Sequence, residues 1–429
     1  MNLFRSLTVW YVALIPVVAG MSTLEFQIGG FNYTGYMWLV LLPVGVFLLA
    51  TNRLTGTDPG GIIPCWPWLV WCGFVCLSVL WSYEIGRRNV QEALQFSMPV
   101  IVAFVAASAV RTPEDLRKVF AAFGVSLCLL LAFTLAYVTE RFDREWMDTH
   151  VRAAALAATL VGCVFLAWFP RYKLLPLTGW ASCLLITALT SSRIATAALL
   201  LAPLIHPLFR RPAWKVAVAG AVMIVGLLLF QTETFQEHFF ETGQGTLQEA
   251  ASGNIKDFGR ADAWYAIWNE ALERPLIGSG VGSAFDFVPT VWNDMNHVHN
   301  DYLRVFYELG FLGLTLFLFV CVWQLVSLRR QIRVTEDGPV RIAFVAVWLG
   351  FCALLLTCST DNTIIYHMFY MNPLFALLGA AYGVAWAEQH PEQHDEIVMG
   401  TTVLLPPALP RLKEIDRGSL SAMHSLPGE

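Results

Sequence analysis

Long apolar runs separated by short polar turns govern what this chain can become. Stretches such as 117–138, 306–328 and 340–358 carry almost no charge. A bilayer's hydrocarbon core is about 30 Å thick, and about 20 helical residues rising ~1.5 Å each cross it. Inside lipid every backbone N–H and C=O must be paired within the protein, which favours helices for such runs. The composition agrees: 56% of the residues are hydrophobic and 14% charged, against about 25% charged in a soluble protein. These features predict an all-α polytopic membrane protein with about twelve transmembrane helices. The spans fall at 7–23, 33–51, 62–82, 96–110, 117–138, 152–169, 173–190, 194–209, 214–230, 306–328, 340–358 and 363–387.

Basic residues orient the bundle. With the N-terminus inside, 17 of the 27 Lys and Arg residues fall on the inner face, most densely in the short loops 170–173, 210–215 and 329–341. That is the positive-inside pattern, and an even number of spans brings the C-terminus back to the same side. Arg5 ahead of the first run resembles a signal peptide, but no clean small-residue cleavage site precedes polar sequence, so an uncleaved first helix is expected. The chain then divides into helices 1–9 over 1–230, an outer loop over 231–305, helices 10–12 over 306–387, and a disordered inner tail over 388–429.

The outer loop has helical patterning of its own. Within 257–274, Ala261, Trp264, Trp268, Ala271 and Leu272 form a stripe, with Asp257 as N-cap and Pro275 as stop. Trp264, Tyr265 and Trp268 suit a helix lying among lipid headgroups. The following PLIGSGVGSAF, 275–285, holds Gly278, Gly280 and Gly282. No strand precedes it, so it reads as a turn between two loop helices and not as a dinucleotide fingerprint. No nucleic-acid partner is expected. All nine cysteines lie in apolar runs without a CxxC, which predicts buried thiols, no disulfides and no cysteine metal site.

Chemistry concentrates at 293–316, where a polar loop enters an apolar helix. If that helix is regular, His299, Leu303, Phe306, Gly310 and Gly313 share one face. The imidazole then stands about 20 Å above the second glycine, at the water–lipid boundary. Gly310 and Gly313 are structural candidates that let a neighbouring helix approach. His299 is the candidate base, with Asn300, Asp301 and Arg304 beside it as substrate contacts. Asp294, His297, His299 and Asp301 give D-x-x-H-x-H-x-D, but the spacing is not diagnostic of zinc and no metal is expected. Arg193, next to Ser191 and Ser192 at an outer turn, and Arg260, at the start of the loop helix, are candidate anion grips. Asp361, Asn362 and His367 are weaker candidates for lining the same cavity.

His299-Asn300, nine residues, then Gly310-Phe311-Leu312-Gly313 match the pattern H-[NSQ]-x9-G-x-x-[GTY]. With the PLIGSGVGSAF run and the SSR turn, this resembles the bacterial O-antigen ligases, over most of residues 60–387. The same pattern serves the wider superfamily of O-antigen ligases, polymerases and O-oligosaccharyltransferases. The resemblance implies a GT-C-type glycosyltransferase of the bacterial inner membrane, with cytoplasmic termini and the 231–305 loop in the periplasm. It would move a polysaccharide from undecaprenyl pyrophosphate to a sugar of the lipid A–core oligosaccharide. By position, His299 would be the catalytic histidine and Arg193 and Arg260 the essential arginines. No cofactor, nucleotide or divalent metal is implied; the other partners would be membrane lipids. A polymerase or protein O-oligosaccharyltransferase would use the same donor. A transporter would place charges or broken helices near mid-membrane, often in paired repeats. Here charges cluster at span ends and no repeat is visible.

Overall fold

The computed structural model describes residues 3–21, 66–82, 85–140, 144–209, 212–231, 259–292 and 297–390, with isolated positions between them. Among these are thirteen α-helices: α1 (Leu3–Met21), α2 (Trp66–Ser78), α3 (Arg87–Ala109), α4 (Pro113–Val138), α5 (Arg144–Trp168), α6 (Leu174–Leu189), α7 (Arg193–Ile205), α8 (Pro212–Phe230), α9 (Arg260–Ala271), α10 (Ala284–Val291), α11 (Asp301–Val334), α12 (Pro339–Thr357) and α13 (Met371–Gln389). One small antiparallel hairpin, Gln27–Ile28 with Phe31–Asn32, departs from an all-helical chain.

The expectation of about twelve spans in a GT-C-type fold does not hold. Among the described residues five helices are long and apolar enough to cross a membrane: α3, α4, His150–Trp168 of α5, α11 and α12. The physical reason is that an apolar run reports burial, whether in lipid or in protein. Helices α2 and α7 have 13 residues each, about 20 Å of rise where about 30 Å is needed. The run read as 363–387 becomes turns up to Tyr370 followed by α13, which is buried on nearly every side by protein. Most of the 33–51 run, most of the 232–258 loop, Asp257, Asp294 and the tail beyond 390 lie outside the described residues.

Small residues set the tightest packing. On α13, a Cβ at Gly379 would stand 2.0 Å from the Ala103 carbonyl oxygen, and one at Gly383 would stand 2.3 Å from that of Val110. Backbones approach this closely only where side chains are absent, so α13 and α3 form the centre of the bundle. At one end, Arg5 of α1 reaches Asp115 of α4 at 2.9 Å. Thr112 caps α4 by accepting the Asp115 N–H, with Pro113 in the first turn where no N–H is needed.

Helix α11 is not the regular stalk the spacing predicts. It begins at Asp301, so His299 precedes it, and it breaks at Gly310, whose φ of 67° and ψ of −170° are not helical. The break is filled by the glycine-rich turn. Ser279 and Gly280 N–H donate to the Tyr307 and Glu308 carbonyls at 3.0 and 2.8 Å, and Phe311 and Leu312 N–H donate to those of Pro275 and Leu276 at 2.7 and 3.1 Å. Four backbone groups flanking the kink thus find partners in the turn, as burial demands. A Cβ on Gly310 would meet the Leu276 backbone at 2.3 Å, and one on Gly278 the Glu308 backbone at 2.4 Å. The close approach at Gly310 is therefore made by the turn at Leu276 and Ile277 and not by a neighbouring helix. At Gly313, the Phe74 ring of α2 lies 3.1 Å from where a Cβ would sit.

Candidate active site

The site is assembled where α9, residues 297–300, the start of α11 and the 358–364 turn meet. Helix α9 follows Gly259, whose left-handed φ of 76° starts it two residues after the expected Asp257 cap. Its buried stripe is Ala263, Ile267 and Ala271, while Tyr265, Trp268 and Leu272 of the wider apolar set are exposed. Trp264 donates from Nε1 to the Val298 carbonyl at 2.7 Å, pinning the backbone beside His299.

His299 takes a left-handed φ of 53°, a conformation costing a side-chain-bearing residue about 1–2 kcal/mol. Asn362 holds it there, its Oδ1 accepting the His299 N–H at 2.8 Å while its Nδ2 lies 2.9 Å from the ring Nδ1. On the other side, Arg152 Nη1 lies 3.1 Å from Nε2. A neutral imidazole accepts at one nitrogen only, so two N–H donors facing its two nitrogens cannot both be satisfied. One contact has to yield when a reactant arrives. The ring is neutral because His299 is only 2% exposed. Burial, then Arg152, Arg260 and His297, push its pKa down to about 2.

Arg260 opens α9 and donates to the Thr360 carbonyl at 3.3 Å. It shares with Arg152 an electrostatic pull on Asp361, whose carboxyl is nonetheless raised by burial. His297 meets the Phe285 ring edge-on at 5.0 Å, and Arg88 lies over that same ring at 3.9 Å. Burial, then Arg304, Arg88 and Arg152, push the His297 pKa down to about 4. The local field is strongly positive around two uncharged imidazoles.

The other expected residues take more local places. Asn300 caps α11, its Oδ1 accepting the Leu303 N–H at 3.0 Å. Asp301 is fully buried; its N–H donates to the Cys358 carbonyl and its Oδ2 accepts the Ile364 N–H. Together they lock the 358–364 turn, and hence Asn362, against the histidine loop. Arg304 is 1% exposed and paired with Glu92 of α3 at 2.8 Å and Glu308 at 3.2 Å. Arg193 opens α7 after Ser192, half-buried, with Ser191 at a positive φ of 53°. It is not among the groups whose charge acts on His299. His367 directs Nδ1 to the Ile365 carbonyl at 3.0 Å. Among the described residues no three His, Cys, Asp or Glu side chains converge as metal ligands.

Arg152 is the residue that sequence reasoning missed. Its signal was the one that drew attention to Arg193: a guanidinium at the head of an apolar run, here VRAAALAATLVG.

Membrane-length apolar helices carrying a buried histidine beneath guanidinium groups define a polytopic helical membrane protein with a cationic site at one end of its bundle. Residues 178–318 match the family model for O-antigen ligase, and over that stretch the chain is similar to that family. The matched segment holds Arg193, Arg260, His299 and Gly310; Arg152 and Asn362 lie outside it. No curated protein matches the chain in sequence.

Proposed function

We propose that the chain transfers a polysaccharide from undecaprenyl pyrophosphate to a sugar hydroxyl of lipid A–core oligosaccharide, at the periplasmic face of the bacterial inner membrane. The observation that supports this most is the uncharged His299 imidazole flanked by Arg152 and electrostatically coupled to Arg260. A diphosphate-linked sugar is already activated. The protein has to hold donor and acceptor in line, take the hydroxyl proton, and stabilise charge on the departing diphosphate.

In this reading Arg260, Arg152 and Arg193 grip the diphosphate, since guanidinium forks match phosphate oxygens. The arriving anion draws Arg152 off Nε2 and cancels part of the positive field on the ring. His299 then accepts the acceptor hydroxyl's proton at Nε2. The ring's own proton sits on Nδ1, with the Asn362 carboxamide turned to present its oxygen, at a cost of about 1 kcal/mol for the backbone bond given up. The acceptor oxygen forms the new glycosidic bond as the anomeric carbon–phosphate oxygen bond breaks. The electron pair leaves on undecaprenyl pyrophosphate. A single displacement inverts the anomeric centre. Both substrates are lipid-anchored, which accounts for a site at the bundle end.

The test uses membranes containing the full-length chain, polymer-loaded undecaprenyl pyrophosphate and lipid A–core acceptor. His299→Ala should abolish transfer in folded protein. Ala at Arg152, Arg193 or Arg260 should each lose it, with Lys rescuing poorly. Retained transfer in folded His299→Ala protein overturns the base assignment. In a deletion strain, loss of long-chain lipopolysaccharide with polymer accumulating on the lipid carrier marks a ligase. Single repeats still joined to core would mark a polymerase.

A further inference from the structure

At the end of the bundle opposite His299, a cavity of about 690 Å³ opens between the end of α7, the start of α8, and α11 and α12. Its wall on α11 is built from Leu325, Val326, Arg329 and Arg333, offsets of 0, 1, 4 and 8 that share one helical face. Arg329 lies 30 residues beyond His299 in the chain, up to about 45 Å of helical rise and so roughly a bilayer away. Lys215 adds a third cation, and among the described residues no carboxylate lines the cavity.

The polarity is graded along the helix axes. Arg333 and Lys215 belong to the helix ends, whereas Leu325, Val326 and Trp348 of α12 stand further in. Arg329 marks the border, its guanidinium 6.0 Å from the Trp348 ring. A cationic mouth above an apolar throat is the complement of one kind of molecule, a phosphate headgroup carrying acyl chains. A free phosphate would satisfy the mouth and leave the throat unfilled.

We infer that this cavity is a binding site for an anionic phospholipid, its phosphate held by Lys215, Arg329 and Arg333 and its upper acyl chain lying against Leu325, Val326 and Trp348. With His299 at the outer surface the lipid belongs to the inner leaflet. It clamps the far end of α11, the helix that begins at the site, to the far end of α7.

The experiment purifies the full-length chain in mild detergent and measures bound lipid by native mass spectrometry after exchange with phosphatidylglycerol or phosphatidylcholine. Phosphatidylglycerol should be retained and phosphatidylcholine lost. A basic residue near a membrane surface is worth about 1 kcal/mol toward anionic lipid, about fivefold. The combined Lys215→Gln, Arg329→Gln and Arg333→Gln variant should therefore bind about a hundredfold more weakly. Removing inner-face charges can disturb insertion, so Val326→Trp, which fills the throat and keeps every cation, serves as the second variant and should also lose the lipid. Equal retention of both lipids, or undiminished phosphatidylglycerol on folded Val326→Trp, overturns the proposal. So does displacement of phosphatidylglycerol by an equal concentration of soluble glycerol phosphate, which would mark a simple anion site.

Discussion

Asn362 holds His299 at two points, so its removal tests whether ring placement carries the chemistry. Asn362→Ala deletes the acceptor at 2.8 Å from the His299 N–H and the side-chain contact at 2.9 Å from Nδ1. Both groups are buried, Asn362 fully and His299 at 2% exposure. An orphaned buried N–H costs about 1–3 kcal/mol, and the left-handed conformation of His299 loses its support. The protein should lose about that much stability and still fold, while the ring moves by a fraction of its own width. A misplacement of about 1 Å costs about a hundredfold in rate, or about 2.7 kcal/mol of barrier. Asn362→Asp behaves differently. Its carboxylate accepts both the backbone N–H and a proton on Nδ1, without turning the side chain, and Arg152 and Arg260 supply counter-charge. It should retain transfer far better than alanine. The assay is the initial rate of polymer transfer to lipid A–core per folded molecule, with folding followed by gel filtration and thermal denaturation. Wild-type transfer in Asn362→Ala would refute the positioning argument. Folded Asn362→Asp protein as inactive as alanine would refute the proposed proton placement on Nδ1.

Arg304→Met should cost about 3–5 kcal/mol, because it leaves the buried Glu92 and Glu308 carboxylates without their cation. Thermal denaturation in detergent checks this, and adding Glu92→Gln and Glu308→Gln should recover part of the loss. His299 and His297 have folded-state pKa values near 2 and 4, below the ordinary 6.5, and burial holds His367 at about 4. Between these values and 6.5 the unfolded chain binds more protons, so stability is complete above 6.5 and falls as pH drops through that window. Denaturation temperature followed from neutral pH downward should decline, and His299→Gln should flatten the decline; an unchanged slope would refute the assignment to His299.

Much of the site was legible before the fold. His299 stands in a polar loop against an apolar helix, and Arg260 was readable near the start of a helix, although that helix is capped at Gly259 and not at the expected Asp257. The glycine turn was readable as a turn, but its docking into a broken helix was not. Regular spacing places Gly310 on a smooth helical face, and only the backbone of Leu276 pressed against it explains the positive φ. Arg304 reads as a site arginine beside His299. It is committed instead to Glu92, 212 residues away in the chain, a pairing no local pattern announces.

By itself the sequence determined that this is a helical membrane protein, because long uncharged runs have few other ways to pair their backbone groups. It also determined the catalytic candidate and its motif, because those are contiguous. It could not determine how many runs reach bilayer length, since apolarity is required equally by lipid and by a protein core. Nor could it supply Arg152, 147 residues before His299, or show that Asn362, 63 residues after it and readable only as a cavity-lining candidate, holds the ring; both touch it only through the packing of α5 and the 358–364 turn. The tertiary structure decided those points, because a side chain's basicity and reach depend on which distant groups folding brings within a few ångströms of it.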